Sequence, residues 1–117
     1  MGTRTTGVVA LLTTVWIAGC GASIPPPNDQ FAAAQADVGR AQAGGAPNVP
    51  EARLHLQLAQ EDLQKSKQLM GNDNARATSL TNVAGMEAQL ALALARETTA
   101  RDQARTAEAE LQKNGGQ

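Results

Sequence analysis

The chain has 117 residues, enough for one small domain, since single domains typically run to about 100–200 residues. It contains one His, one Cys, one Trp, one Phe and no Tyr. A site that needs several histidines or cysteines therefore cannot be formed within one chain. We expect no metal, no cofactor and no catalytic activity. The formal net charge of −1 gives no basic footprint for nucleic acid.

The N-terminus has the layout of a secretory signal peptide. One positive charge, Arg4, precedes an apolar run from Gly7 to Ile17, and small residues follow. The run is too short to cross a bilayer, which takes about 20 apolar residues in a helix. It ends in Ile17, Ala18, Gly19 and Cys20, which resembles the bacterial lipobox of an aliphatic residue, two small residues and a cysteine.

The lipobox resemblance implies that residues 17–20 are recognised by the signal peptidase and that the Cys20 thiol receives a diacylglycerol. Cys20 has no second cysteine to pair with in the chain. The start of the sequence also fits a myristoylation pattern at Gly2, and an uncleaved anchor or a chance apolar terminus is the other alternative. An apolar run that ends in a lipobox favours lipidation of Cys20 over these.

This interpretation divides the chain into four segments. Residues 1–19 are a lipoprotein signal peptide, 20–30 the lipidated cysteine and a Pro-rich tether, 31–113 a helical domain and 114–117 a flexible tail. Three consecutive prolines favour an extended polyproline II spacer. Gly21 stands where many lipoproteins of the inner membrane have Asp, so in a host with two membranes the lipoprotein resemblance implies the outer membrane of the cell envelope, with the chain facing the periplasm.

Two shorter helices are predicted after the tether. The first begins after Asn28 and Asp29, either of which can cap it, and ends at Gly44–Gly45. The second runs from about Pro50 to Met70, with Gly71 as its stop. The apolar face of the first is Phe31, Ala34, Val38 and Ala41; the second has a main seam of Leu56, Ala59, Leu63, Ser66 and Met70, with Leu54, Leu58 and Leu69 nearly opposite.

Helix three is predicted from about Ala75 to Lys113, and Asn72–Asn74 make its turn and cap. Helix three carries two stripes, about a quarter-turn apart. The large residues Leu80, Val83, Leu90 and Leu94, interrupted by Glu87, make the main seam; Thr81, Gly85, Ala88, Leu92 and Ala95 make a second stripe of mostly small residues. Gly85 in mid-helix costs about 1 kcal/mol relative to Ala, which a close helix approach would offset.

The simplest fold is all-α: a small antiparallel bundle in which a short helix is followed by a long helical hairpin. A rival arrangement lays the first two helices end to end along the third. Helix three outruns helix two, so its part beyond Arg96 overhangs, with a thin apolar line of Ala100, Ala104, Ala107 and Leu111. Two antiparallel copies covering each other's overhang make a homo-oligomer possible.

Few residues suggest chemistry. His55 lies one turn after Glu51, but a zinc site needs three or four ligands, so a solvated histidine is expected. Ser23, Ser66 and Ser79 have no histidine at an evident spacing. Glu61 is expected to pair with Lys65, and Glu97 with Arg101, on solvated faces.

The order of parts from Phe31 to about Arg105 resembles a bacterial family named domain of unknown function 4398. The matching features are Phe31-Ala-Ala-Ala-Gln-Ala, the turn from Ala43 to Pro47 and the Leu/Ala hairpin around Gly71, with Asn74 where members often have an aromatic residue. The resemblance implies a short helical envelope protein, often a lipoprotein, and no assigned activity.

The function expected from the sequence is a structural or protein-interaction module of the cell envelope, held to the membrane by its N-terminal lipid. Its protein partner is an unknown envelope protein. The alternative is a periplasmic peptide- or ligand-binding domain that uses the groove beside helix three.

Replacement of Cys20 tests the anchor. The Cys20→Ser variant should incorporate no radiolabelled palmitate and should accumulate as an uncleaved precursor, because the hydroxyl does not accept the diacylglycerol. Labelling is measured in growing cells beside the unaltered chain as the positive control. Undiminished labelling of the Ser variant would place the lipid elsewhere.

Overall fold

The computed structural model describes residues 23–116, which form three α-helices and no strand. Helix α1 spans Asn28–Ala43, α2 spans Pro50–Leu69 and α3 spans Asn74–Gly115, with a single 3₁₀ turn at Ala46–Asn48 between α1 and α2. The predicted all-α fold is confirmed, and α3 continues two residues beyond its expected end. Residues 1–22, including the proposed signal peptide, lie outside the described part.

Helices α1 and α2 lie beside the same stretch of α3. The Gln89 side-chain amide of α3 donates to Asp37 Oδ2 of α1 at 3.0 Å. His55 Nδ1 of α2 lies 2.5 Å from Glu87 Oε2, only two residues away along α3. This placement is that of a three-helix bundle, and it excludes the end-to-end arrangement.

Particular residues determine where the helices begin and where the chain turns between them. Gly45 and Gly71 have φ angles of +91° and +87°, a left-handed conformation that other residues rarely adopt. The Asp73 carboxylate accepts from the backbone N–H of Arg76 at 3.0 Å and caps α3, as predicted. The predicted cap of α1 is wrong: the helix begins at Asn28, one residue after Pro27, and no side chain caps it.

The core is made mostly of alanine. Of the thirteen buried apolar residues in the described part, ten are alanines, and the others are Val38, Leu56 and Leu63. The predicted face of α1 is confirmed, with Phe31 packed at its edge. The predicted seam of α2 is buried from Leu56 to Ser66, while Met70 is half-buried.

The buried face of α3 differs from the predicted main seam. The small residues Ala77, Thr81, Ala84, Ala88, Ala91 and Ala95 are buried, whereas Val83 and Leu90 are exposed and Leu80 and Leu94 are half-buried. Because α3 is flanked by two helices over the same residues, small side chains let both approach closely. The larger side chains lie at the edges of these contacts, where there is more room.

Gly85 tests how tightly α1 approaches α3. A Cβ atom there would meet Ala34 Cβ at 3.7 Å and Asp37 Oδ2 at 3.8 Å, which are ordinary contact distances. We therefore expect Gly85→Ala to raise the free energy of unfolding by about 0.5–1 kcal/mol, the helix-propensity difference. Thermal unfolding followed by circular dichroism should show a higher Tm.

Gly44→Ala is the contrasting control. Its Cβ would overlap the Leu92 side chain and lie 3.0 Å from the Arg40 carbonyl oxygen. The Tm of this variant should fall. A fall for Gly85→Ala as well would mean that α1 and α3 are packed more closely than described.

Candidate interaction surface

The residues of the proposed lipidation site, Ile17, Ala18, Gly19 and Cys20, lie outside the described residues. The chain just after them is described from Ser23, and Ser23–Pro27 is not helical. Asn74 Nδ2 donates to the Ile24 carbonyl oxygen at 2.7 Å, and Asn74 is the first residue of α3. The tether is thus fastened to the hairpin turn, at the opposite end of α3 from its C-terminus.

His55 lies at the contact between α2 and α3. Its side chain is 23% exposed, and its partner is Glu87 rather than the sequence neighbour Glu51. The expectation of a solvated histidine is therefore wrong, because α3 brings a carboxylate to it from 32 residues away. Leu54 and Leu58, which flank His55 in the sequence, remain exposed on α2.

Ser66 is fully buried and makes a structural contact. Its hydroxyl donates to the Ala77 carbonyl oxygen at 2.8 Å, so the Thr81 hydroxyl donates in turn to Ser66 Oγ at 2.7 Å. No titratable side chain takes part in these contacts. Ser66 therefore has neither the access nor the neighbouring base that a nucleophile requires.

Asp37 joins α1 to α3 from a buried position. It accepts hydrogen bonds from Arg40, on its own helix, and from Gln89. Burial acts to raise the pKa of Asp37, but the hydrogen bonds from Arg40 and Gln89 and the Arg40 charge outweigh it, so the pKa lies below its ordinary value. Sequence analysis missed this cluster, although Asp37 stands three residues after Ala34 and four before Ala41, which places it on the predicted apolar face of α1.

No three His, Cys, Asp or Glu side chains in the described part come together as metal ligands. Between residues 23 and 116, no helix is both long and apolar enough to span a bilayer. The surface pairs follow expectation: Lys65 Nζ lies 3.9 Å from Glu61 Oε2, and Arg101 Nη2 lies 2.5 Å from Glu97 Oε1.

Two open clefts run beside α1. One, of about 310 Å³, lies between α1 and α3 and contains the Asp37–Gln89 contact. The other, of about 390 Å³, lies between α1 and α2. Four glutamines line its sides, and its apolar residues are Phe31, Val38 and Leu63; the glutamines are Gln35, Gln42, Gln60 and Gln64.

The C-terminal part of α3, residues 96–115, is a free arm. Burial on α3 ends at Ala95, and beyond it only Thr98 is partly covered, while every residue from 99 to 116 is exposed. Twenty helical residues at 1.5 Å each make the arm about 30 Å long. The predicted overhang is confirmed.

One face of α3 carries exposed apolar side chains both on the bundle and on the arm. Met86 is 62% exposed, Leu90 43% and Leu111 72%. Exposed alanines connect them at alternating spacings of four and three residues, with Glu97 as the one charged position. We call this the outer stripe: Met86, Leu90, Ala93, Glu97, Ala100, Ala104, Ala107 and Leu111.

Comparison with known proteins gives no relative: no family model, curated protein or solved structure matches the chain.

The decrease in the free energy of unfolding at acid pH, the acid limb of the stability curve, should depend on Asp37. A carboxyl whose pKa is lowered on folding stabilises the fold above its unfolded pKa of about 3.9, and this contribution is lost as the pH falls through the folded value. We expect Asp37→Asn to lower the free energy of unfolding at pH 7 by about 1–3 kcal/mol, because Arg40 and Gln89 lose a charged acceptor. The free energy of unfolding of this variant should also fall less steeply as the pH is lowered.

Urea unfolding measured from neutral to acid pH tests this, with Asp102→Asn on the arm as the control that keeps the original pH dependence. An Asp37→Asn variant whose acid limb matches that of the unaltered protein would contradict the assignment.

Proposed function

We propose that this protein is a lipid-anchored component of the bacterial cell envelope whose helical body binds another protein. The observation that carries the binding role is the free arm of α3. An isolated helix exposed on all sides gains little stability from its own backbone bonds, whereas packing of an apolar face stabilises it. The outer stripe gives the arm such a face, and it continues onto the bundle at Met86 and Leu90.

The anchor rests on the pattern that ends in Cys20. Cys20 precedes Ile24 by four residues, which span at most about 14 Å when fully extended. Since Ile24 is hydrogen-bonded to Asn74 at the start of α3, the lipid would sit at that end of the molecule. With 42 residues, α3 carries its far end about 60 Å from the anchored end.

The polar side chains of the bundle support a binding role rather than catalysis. Asp37, His55 and Ser66 are each engaged by another side chain across a helix contact. Such groups hold helices together and are not directed at a substrate. A nucleophile with an adjacent base and a donor set for developing charge would be needed for hydrolytic chemistry.

The cleft between α1 and α2 favours a second candidate function, the binding of a peptide or small ligand. Its glutamine amides can each donate and accept hydrogen bonds beside an apolar floor. Such a binder would make its contacts through Gln60 and Gln64, which lie on α2 and are not part of the outer stripe. Loss of partner binding on substitution of these two glutamines, with the arm unaltered, would favour it.

Crosslinking in intact cells tests the main proposal. A photo-reactive amino acid is placed at Ala104 on the outer stripe, or at Ala109, the same residue type on another side of the arm. Irradiation should link Ala104 to a protein at a yield at least about tenfold above that at Ala109, since a bound partner covers one face only. The products are detected by immunoblotting.

The Cys20→Ser variant is irradiated in parallel. The proposal expects its crosslinks to fall, because the uncleaved precursor is held in the membrane by its signal peptide and is not transferred to the surface where the lipidated chain meets its partner. No protein product at Ala104 would refute the binding role, and equal products with and without Cys20 would refute the need for the anchor.

A further inference from the structure

The spacing of the outer stripe is that of a helix packed along another helix. Its members alternate by four and three residues from Met86 to Leu111, so every second member is seven residues further along, which is two helical turns of 3.5 residues each. A straight α-helix has 3.6 residues per turn, so a sustained 3.5 repeat follows a left-handed supercoil with a partner helix. The stripe covers 26 residues, or about 39 Å of helix.

We infer that the partner is a second copy of this chain, packed antiparallel along the outer stripe. This inference rests on the proposed function, because it names the protein that the arm binds. A two-fold axis between Thr98 and Thr99 then relates the two copies, and the residues of the outer stripe form four pairs on each side of it. These pairs join Met86 with Leu111, Leu90 with Ala107, Ala93 with Ala104, and Glu97 with Ala100 of the second copy.

The side-chain sizes favour this register. Leu90, which lies on the bundle, meets Ala107 of the other arm, so a large side chain faces a small one. Ala93 meets Ala104 nearer the axis, where two small side chains let the helices approach closely. The exposed side chains of Met86 and Leu111, at 62% and 72%, would cover each other at the ends of the contact.

The charges near the axis are self-complementary. Glu97 and Arg101 already form an ion pair within one chain at 2.5 Å. The two-fold axis brings two glutamates and two arginines together, so each charge has an opposite neighbour in both copies. A parallel pairing in register would instead place Glu97 against Glu97, and an antiparallel arrangement avoids that repulsion.

The orientation of the two copies sets the position of their anchors. Each tether is fastened at the start of α3, and the two starts lie on opposite sides of the axis. About 25 residues separate each start from the axis, which puts the two ends about 75 Å apart. With both lipids in one membrane, the paired helices lie along its surface.

The test uses the full chain in cells, with a photo-reactive amino acid at Leu111. The expected product has twice the mass of the protomer and joins two differently tagged copies. Tryptic mapping should connect the peptide of residues 106–113 with that of residues 77–96, which contains Met86. Within one chain these positions are about 38 Å apart on the same helix, so the link must join two copies.

Charge variants check the register. Glu97→Arg alone, and Arg101→Glu alone, leave four like charges around the axis and should lower the dimer yield at least about tenfold, equivalent to about 1.4 kcal/mol. The double variant Glu97→Arg with Arg101→Glu should restore it. Asp102→Arg, on another side of the arm, is the matched control and should change the yield little.

Four outcomes separate this inference from the proposed function. A link between residues 106–113 and 77–96 of two copies, with charge rescue, supports both. A link between the 106–113 peptides of two copies overturns the antiparallel arrangement. If every crosslinked product contains a different protein, the second copy is not the partner, but the proposed function is still supported. No product at Leu111 or at Ala104 overturns both.

Discussion

The packing of α3 between two helices is the constraint on which the rest of the structure depends. Two neighbours can both approach the same stretch of one helix closely where its side chains are small, and α3 has alanine or threonine along that whole face. The same requirement moves the large residues of α3 outwards. Both the thin core and the exposed apolar surface therefore arise from one cause.

A core of methyl groups makes the polar contacts between helices important. Burial of alanine removes little apolar area from water, so each such residue contributes less than a leucine would. Asp37–Gln89 joins α1 to α3, while Ser66–Thr81 and His55–Glu87 join α2 to α3. Every pair that joins helices in this way includes α3, which makes that helix the common support of the other two.

Local sequence patterns predicted most of the fold. Glycines and Asp73 marked the turns, and apolar spacing gave the buried faces of α1 and α2, because each of these has one dominant face. The prediction of the buried face was wrong for α3. Two heptad stripes lie side by side on this helix, and a ranking by hydropathy places leucine rather than alanine in the core. The stripe from Ala77 to Ala95 was the available signal, since small residues at every buried position indicate two close neighbours.

The long-range side-chain pairs were beyond that kind of prediction. Asp37 and Gln89 are 52 residues apart, and His55 and Glu87 are 32 apart. Their pairing depends on how far α1 and α2 extend along α3, which no local pattern specifies. The free arm could be predicted, because it needs only the difference in length between two neighbouring helices.

The buried hydroxyls of Ser66 and Thr81 have a consequence for the uniqueness of the fold. An alanine face that repeats every seven residues fits its neighbour almost as well after sliding by one repeat, so methyl contacts alone leave several alignments close in free energy. Sliding α2 along α3 by one repeat would separate Ser66 from Thr81, so both hydroxyls would lose the buried contact that they make in the observed alignment. This pair of small polar side chains, together with His55 and Glu87, thus favours one alignment of α2 among those that the alanines would accept.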